Sequence, residues 1–282
     1  MDPKKKVYVD QIPINKPSIR ILGEKSILIK DIDLEKKIQC IPKNIPLKIL
    51  HEDDSIIVID KPYNLCVHPG THHEKNTLMH ALMYHFPILK NIPRAGIVHR
   101  LDKDTSGLMI VAKKSSIQNQ MMKLFKSRKV YKEYEAIVYG NINSDGTIDK
   151  PIKRHPYERI KNFVCDFGRK AKTHYYVKEK FANFTRIILS LESGRHHQAR
   201  VHMKYIGHPI VGDYLYQDRQ IIRKKKNYIS NLIKIDQVIS RQALHARKIK
   251  ILHPQFKKKV TWKSNTPEDM RNLIDLIRKN EK

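Results

Sequence analysis

Alternation of apolar and polar residues predicts several strands in the middle of the chain. The segments "KEYEAIVYG", "AKTHYYVKEKF" and "FTRIILSLES", which begin at Lys132, Ala171 and Phe184, repeat with a period of two. This period is typical of half-buried antiparallel strands. "SIIVIDKP" and "GLMIVAKK" are instead continuous apolar runs, and Pro62 ends the first of them. These two runs predict fully buried strands.

Helical spacing of apolar residues predicts three helices between and after these strands. "NTLMHALMYHF" predicts a short helix capped by Asn76 or Thr77, and "TPEDMRNLIDLIRK" a C-terminal helix capped by Thr266 with Pro267 at its first position. "SSIQNQMMKLFKSRK" predicts the third helix, whose apolar stripe consists of Ile117, Met121, Leu124 and Phe125. The stripe of the C-terminal helix consists of Met270, Leu273, Ile274 and Ile277. Strands outnumber helices and often follow one another, so we predict an α+β fold whose mixed, mostly antiparallel sheet is flanked by helices and loops.

The organisation of the chain indicates a small N-terminal segment before one large domain. The first 44 residues read as short strands and turns, and the proline-marked linker "IPKNIPLKIL" (41–50) leads into the strand-rich part. No run of about 18 apolar residues predicts a membrane span, and "MDPKKKVYVD" lacks the apolar region of a secretion signal. The cysteines Cys40, Cys66 and Cys165 show no metal or redox spacing, which fits a reducing cytosol. We therefore expect a cytoplasmic protein, and a monomer.

The net charge of +28 predicts a polyanionic partner, RNA or DNA. The basic residues cluster in "RQIIRKKK" (219–226), "RKVYK" (128–132) and "KRH" (153–155), and we take Lys224 and Lys225 of the first cluster as candidate RNA contacts. Lysine and isoleucine dominate the sequence together, so compositional drift in an AT-rich genome is the alternative explanation. The clustering argues against drift, because solvated faces usually mix their signs.

Three polar segments beside apolar runs are candidates for chemistry: "DKPYNLCVHPG" (60–70), "HRLDKDTSG" (99–107) and "ESGRHHQARVHMKYIGHPIVGD" (192–213). The third packs six polar residues into eight positions: Arg195, His196, His197, Gln198, Arg200 and His202. If this segment is a strand, Gln198, Arg200 and His202 share one face. A metal site there is disfavoured because the segment offers no acid at a fitting spacing. A polar strand end that recognises phosphate is the favoured interpretation.

"HRLDKDTSGLMIVAK" resembles the signature of the RluA-type pseudouridine synthases, which isomerise uridine in RNA. "IIVIDKPYNLCVHPG", "YKEYEAIVYG", "GRHHQARVHMKYIGHPIVGD" and "RQALHARKIKILHP" resemble further motifs of that family, in the family's order, from about Ile45 to the C-terminus. Residues 7–31 resemble the last part of an S4-like RNA-binding module, although "VDQIPINKP" lacks the Asn-Gly turn typical of it and its leading helices are absent. The resemblance implies a truncated S4-like remnant with its linker at 1–44, and a catalytic domain with the pseudouridine synthase fold at 45–282.

The resemblance also implies a substrate and an activity. It points to clustered uridines in a stem-loop of large-subunit (23S) ribosomal RNA, or of the subunit's precursor, with no cofactor and no metal. Isomerisation breaks the N1–C1′ bond, rotates the base and joins C5 to C1′, and uracil leaves as a delocalised anion. One ionised carboxylate therefore suffices, as a nucleophile or as a base at C2′, and the sequence does not choose between these routes. The alternative from another class is a catalytically silent RNA-binding or ribosome-assembly factor on the same fold.

The family motif assigns the catalytic carboxylate to Asp102, whereas residue type alone divides that role evenly between Asp102 and Asp104. An arginine beside a buried carboxylate keeps it ionised, and the resemblance gives this role to Arg200. It also places Tyr134 beneath the flipped uracil and Arg100 in the space that the base vacates in the RNA stack.

Other interpretations of these residues stay open at this point. Tyr134 could be strand packing, with Tyr131 as its rival, and Arg200 could be a phosphate clamp with Arg195 as an ion-pair partner. We count as further RNA contacts His99, Arg195, Gln198 and His202. Two positions depart from the family pattern: His196 stands where a small hydroxyl residue is usual, and Ala199 where a larger aliphatic is usual.

Overall fold

A computed structural model describes residues 7–14, 19–29, 41–70, 76–217 and 235–280 of the chain. The chain divides into two units, residues 1–41 and residues 42–282. The basic cluster 219–226, with Lys224 and Lys225, lies outside the described residues.

The first unit contains a small antiparallel sheet of β1 (Val7–Val9), β2 (Ile12–Pro13) and β3 (Ile27–Ile29), in the order β2-β1-β3. β1 and β2 are joined by a two-residue turn although the Asn-Gly pair is absent, with φ of 46° at Asp10 and 67° at Gln11. Aspartate tolerates this left-handed conformation better than most residues, and its carboxylate accepts a hydrogen bond of 3.0 Å from the backbone N–H of Ser26. The side chain of Asp10 therefore stabilises the turn.

The second unit contains eleven strands within its described residues: β4 (Lys48–Glu52), β5 (Ile56–Lys61), β6 (Ser106–Ala112), β7 (Tyr131–Tyr139), β8 (Gly146–Asp149), β9 (Ile152–Arg154), β10 (Asn162–Val164), β11 (Lys172–Lys180), β12 (Phe184–Leu191), β13 (Leu244–Leu252) and β14 (Lys259–Lys263). Its helices are α1 (Leu78–His85), α2 (Ser115–Lys126), α3 (Gln198–Tyr205), α4 (Ile235–Val238) and α5 (Glu268–Asn280), with 3₁₀ turns at Pro87–Asn91 and Pro93–Gly96. No helix in the described ranges is long and apolar enough to cross a membrane.

The large sheet has the order β4-β5-β6-β13-β7-β12-β11-β8. β14 pairs with the second half of β13, at residues 248–252, and β9 and β10 form a separate hairpin. All its pairs are antiparallel except β6 with β13. The predicted α+β class with a mixed, mostly antiparallel sheet is confirmed. The parallel pair lies near the centre of the sheet. The loop that precedes β6, which carries Asp102, therefore leaves the sheet near its middle.

A close approach of two backbones fixes the start of β6. Gly107 has φ of +115°, and a Cβ atom on it would lie 2.4 Å from the carbonyl oxygen of Ala246 in β13. A side chain at this position would separate the parallel pair, so glycine is required there. All seven residues of β6 are buried, and Ile117 and Met121 of α2 pack against Leu108 and Ile110 in one core cluster. The predicted apolar stripe of α2 therefore covers this strand.

The turn before β6 lies at 102–105, where the backbone N–H of Thr105 donates to the carbonyl of Asp102 over 3.2 Å. Two details differ from the sequence-based expectations. The linker ends early, because Lys48 begins β4 and pairs with Asp60 of β5. Thr266 was predicted to cap the C-terminal helix, but α5 begins at Glu268. The hydroxyl of Thr266 donates to Glu135 of β7 over 2.8 Å and so ties the start of α5 to the sheet.

Candidate active site

A buried lysine holds the loop that carries Asp102. Lys61, at the end of β5, is 1% exposed, and its Nζ donates to the carbonyls of Pro62 at 2.7 Å, Leu65 at 3.0 Å and Lys103 at 3.0 Å. The three ammonium protons thus each meet an acceptor. Because the carbonyl of Lys103 follows Asp102 directly, this arrangement ties the Asp102 loop to the 62–65 turn.

The polar segment after Arg195 is a helix and not the strand that we considered. α3 begins after His197, whose backbone is left-handed with φ of 58°. Gln198 and His202 are one helical turn apart, and both contact the hydroxyl of Thr173. Arg200 projects on the opposite side of the helix, because residues two apart do not share a helical face. The strand interpretation, which placed these three side chains together, is therefore wrong.

Arg200 links two carboxylates at the floor of the site. Its Nε and Nη2 donate to Asp213 over 2.7 and 2.8 Å, and its Nη1 donates to Asp102 over 3.2 Å. Asp213 is 1% exposed, so this bidentate pair fixes the plane of the guanidinium. Nη1 then points at Asp102, which is itself only partly accessible to solvent.

The same surroundings keep Asp102 ionised. Burial raises its pKa, but the neighbouring His197 and Arg200 lower it more, so its pKa lies below the ordinary value. Burial lowers the pKa of His197 itself to about 3, which leaves that imidazole neutral at pH 7. Arg200 is therefore the cation that holds Asp102 as a carboxylate at neutral pH.

Asp102 opens into a pocket whose empty space, including the open solvent at its entrance, is about 550 Å³. Tyr134 of β7 forms part of its wall and is largely buried. Burial and the charge of Asp102 raise the pKa of Tyr134 well above its usual range, so its hydroxyl stays neutral. Arg100 is exposed at the mouth, and Arg195 lines the wall while its Nε donates to the carbonyl of Lys170 over 3.2 Å. The pocket thus combines one carboxylate, an aromatic ring and a basic mouth.

Three of the expected RNA contacts have other partners. His99 stacks on Phe125 at 4.6 Å and its Nε2 accepts the backbone N–H of Ile110. His202 is completely buried, with its ring nitrogens bonded to Thr173 and to the carbonyl of Lys150. Gln198 lines the pocket, but its amide is bonded to four protein groups, at Ser193, Arg195, Lys172 and Thr173. The polar atoms of Gln198 and His202 are bonded within the protein, so we correct these two assignments from RNA contacts to positioning residues. His99 is half-buried, and its role as an RNA contact stays a prediction.

The rival candidates lie away from this arrangement. The pocket walls are formed by Asp102 and not by Asp104, whose backbone carbonyl accepts a hydrogen bond from Arg241. Tyr131 is 40% exposed, and its hydroxyl donates to Glu133 over 3.0 Å. Of the two candidate carboxylates, Asp102 lines the pocket, and of the two candidate tyrosines, Tyr134 does.

Sequence reasoning missed several residues that build the site. Lys61 and Asp213 were not singled out, although the "DKP" and "GD" segments that contain them were part of the resemblance. Tyr216 was also missed: its hydroxyl contacts Nδ1 of His197 at 2.7 Å, and its ring lies 5.0 Å from the Arg200 guanidinium. No local pattern marks these partners, because each acts through hydrogen bonds that form only in the folded chain.

One group of described residues could hold a metal ion. Ligand atoms of Asp102, His196 and His197 lie within 4.8 Å of one another. The sequence had disfavoured a metal because the histidine segment contains no suitable acid. The fold supplies that acid from the loop before β6.

With this geometry in place, comparison with known proteins identifies the class. The RNA pseudouridylate synthase family profile matches residues 55–205. Ribosomal large subunit pseudouridine synthase D of Yersinia pestis is 42% identical over 273 residues, covering 97% of this chain and 83% of that protein. The protein of the same name from Escherichia coli K12 is 42% identical over 275 residues, with the same coverage. This chain belongs to the RNA pseudouridylate synthase family.

Solved structures agree with this assignment at the level of the fold. Human RNA Pseudouridylate Synthase Domain Containing 4 is similar with a TM-score of 0.61 and 26% identity, over 82% of this chain and 93% of that one. Human RNA Pseudouridylate Synthase Domain Containing 1 is similar with a TM-score of 0.62 and 23% identity, over 84% of this chain and 96% of that one. The predicted pseudouridine synthase fold is confirmed.

Proposed function

We propose that this protein isomerises clustered uridines to pseudouridine in large-subunit (23S) ribosomal RNA, with Asp102 as the catalytic carboxylate. The observation that supports this most strongly is the Arg200–Asp102 pair at the floor of an open pocket that Tyr134 also lines. The names of the relatives at 42% identity point to the large ribosomal subunit as the source of the substrate.

The reaction needs an ionised carboxylate and a place for a flipped base. Asp102 either attacks C1′ or removes the proton from C2′, while the N1–C1′ bond breaks and uracil departs as an anion. The base then rotates and C5 joins C1′, while the Asp102–C1′ bond breaks on the first route or the proton returns to C2′ on the second. The proton on C5 is then lost and N1 takes up a proton, which gives pseudouridine. Because uracil delocalises its negative charge, no second carboxylate is required of the protein.

The aromatic and basic residues of the pocket suit the RNA. Tyr134 offers a neutral ring on which uracil stacks, and such stacking contributes about 1–3 kcal/mol per base. Arg100, exposed at the mouth, enters the space that the base leaves, and Arg195 contributes positive charge to the wall. Together these contacts offset the few kcal/mol that base flipping costs.

Outside the pocket, the proposal assigns residues 1–44 to an S4-like RNA-binding segment with its linker and residues 45–282 to catalysis. The small sheet of residues 7–29 supports the first assignment, because it gives that segment a folded element of its own. We also propose that the protein is cytoplasmic, because its proposed substrate is the ribosomal RNA or the precursor of the large subunit, and that it is a monomer.

An in vitro assay tests this function. Unmodified 23S ribosomal RNA transcript is incubated with the purified full-length protein, and pseudouridine is mapped at nucleotide resolution. We expect new pseudouridines confined to a few clustered positions. Stable RNA binding without any pseudouridine would contradict the proposal and favour the catalytically silent assembly factor.

A further inference from the structure

Asp102 lies beside a stacked pair of histidines whose rings are 3.7 Å apart. Nε2 of His197 is 3.8 Å from Oδ2 of Asp102, and His196 brings a third ligand atom into the group. We propose that Asp102, His196 and His197 form a binding site for a divalent transition metal such as Zn²⁺, and that the bound metal inhibits the enzyme by occupying its carboxylate. The inhibitory consequence rests on the proposed function of Asp102, whereas metal binding does not.

The ligand set selects the class of metal. Two imidazoles and one carboxylate suit Zn²⁺, Co²⁺ and Ni²⁺ rather than Mg²⁺ or Ca²⁺, which prefer oxygen ligands. With bonds near 2.1 Å and tetrahedral angles, neighbouring ligand atoms stand roughly 3.4 Å apart. The His197–Asp102 separation of 3.8 Å is close to this value. His196 is exposed, so a modest rotation of its side chain completes the group.

The hydrogen bonds behind the rings are compatible with metal binding. Nδ1 of His197 contacts the Tyr216 hydroxyl at 2.7 Å, and Nδ1 of His196 contacts the Asn162 amide at 2.8 Å. When Nε2 binds a metal, Nδ1 carries the proton and needs an acceptor. The hydroxyl oxygen of Tyr216 accepts it for His197. The Asn162 amide stays bonded to the backbone carbonyl of His196 at 3.2 Å, and Nδ1 of the exposed His196 ring donates to solvent when the ring rotates.

Local charge opposes a cation here, because Arg100, Arg195 and Arg200 line the pocket beside one carboxylate. Metal binding at this position therefore depends on the bonds from the two imidazoles and from Asp102.

A metal at this position would compete with the reaction. A carboxylate oxygen that coordinates Zn²⁺ loses the free charge with which it attacks C1′ or accepts the C2′ proton. The metal is thus an inhibitor and not a cofactor, and the metal-free protein is the active form.

Binding is tested spectroscopically on full-length, tag-free protein that has been stripped with a chelator. Co²⁺ is titrated while its visible absorption is recorded, and Zn²⁺ is then added as a competitor. We expect one Co²⁺ per chain, displaced by Zn²⁺. His196→Ser and Asp102→Asn should each weaken binding at least about tenfold, whereas His85→Ser, an exposed histidine of α1 outside the pocket, should not. Circular dichroism checks that each variant is folded.

Inhibition is tested by the Zn²⁺ dependence of pseudouridine formation, with each protein compared to its own metal-free rate. His196→Ser should require about tenfold more Zn²⁺ for half-inhibition, and the chelator should restore the wild-type rate. Equal Zn²⁺ sensitivity of wild type and His196→Ser, or Co²⁺ affinity unaffected by His196→Ser, would overturn the proposal. Cobalt binding that depends on His196 in a protein that makes no pseudouridine would support the site while contradicting the proposed function.

Discussion

Nη1 of Arg200 lies 3.2 Å from Oδ2 of Asp102, although 98 positions separate the two residues in the chain. The guanidinium cannot turn away, because Asp213 holds its other edge with two hydrogen bonds. A fixed cation therefore faces the carboxylate at the floor of the pocket. The charge state of Asp102 is the property that this geometry controls.

Arg200→Ala should shift the acidic limb of the rate–pH profile to higher pH. Asp102 has a pKa below its ordinary value in the folded protein, so it is ionised and active over most of the acidic range. Without Arg200, burial dominates and raises that pKa, so the activity is lost at a higher pH as the solution is acidified. The rate at pH 7 should fall roughly a hundredfold, and Arg200→Lys should rescue it only in part, because lysine lacks the planar fork of donors.

The measurement is single-turnover pseudouridine formation from pH 5 to pH 9, with RNA affinity determined in parallel. An unchanged pH profile together with weakened RNA binding would instead identify Arg200 as a phosphate clamp.

Tyr134→Leu should lower the single-turnover rate roughly ten- to a hundredfold, because loss of the stacking ring costs about 1–3 kcal/mol. Tyr131→Leu is the matched control, since Tyr131 belongs to the same strand but is 40% exposed and bonded to Glu133. It should leave the rate near that of the wild type. If both variants lose activity equally, or if only Tyr131→Leu does, Tyr134 is strand packing.

Lys61→Met should destabilise the protein and slow the reaction together. The substitution leaves three carbonyls, at Pro62, Leu65 and Lys103, without their buried donor, which we expect to cost about 3 kcal/mol of unfolding free energy. Lys103→Met is the control, because it keeps the backbone carbonyl that Lys61 binds. Denaturant unfolding and single-turnover kinetics check both variants, and a Lys61→Met protein as stable as the control would refute this role.

The basic cluster 219–226 should carry much of the salt dependence of RNA binding. Each phosphate neutralised on a single strand adds about 0.7 to the slope of log affinity against log salt. A variant with glutamine at four positions should have a flatter slope and a higher KM, with single-turnover chemistry at saturating RNA nearly unchanged. The four positions are Arg223, Lys224, Lys225 and Lys226. Deletion of residues 1–40 should have a smaller effect.

A control variant carries the same loss of charge elsewhere. It replaces four exposed lysines of the β13–β14 hairpin: Lys250, Lys258, Lys259 and Lys263. Equal slopes in the two variants, or a wild-type slope in the 219–226 variant, would show that the cluster reflects genome composition.

The alternating strands were predictable because each buries one face. β7, β11 and β12 appear where the period of two placed them, within one residue at each N-terminal end and two at each C-terminal end. α3 was not predictable by the same means. Its buried residues include Gln198, Arg200 and His202, so no apolar period marks its inward faces.

The site was predictable only in part. The resemblance nominated Asp102, Tyr134 and Arg200, and these three line one pocket. Their supports were not predictable, because the roles of Lys61 and Asp213 depend on buried hydrogen bonds, to the carbonyl of Lys103 and from Arg200, that no local residue pattern marks. Asp102, the acid that joins the histidine pair of His196 and His197, was not predictable as a third ligand, because it lies more than ninety positions before them in the chain.

Pseudouridine formation by Asp102→Asn and Asp104→Asn on 23S ribosomal RNA tests the central claim most directly. The amide is nearly isosteric with the carboxylate but neither attacks C1′ nor accepts the C2′ proton. We predict that Asp102→Asn folds, binds RNA and forms no pseudouridine, while Asp104→Asn retains substantial activity. An active Asp102→Asn protein, or equal loss of activity in the two variants, would contradict the account.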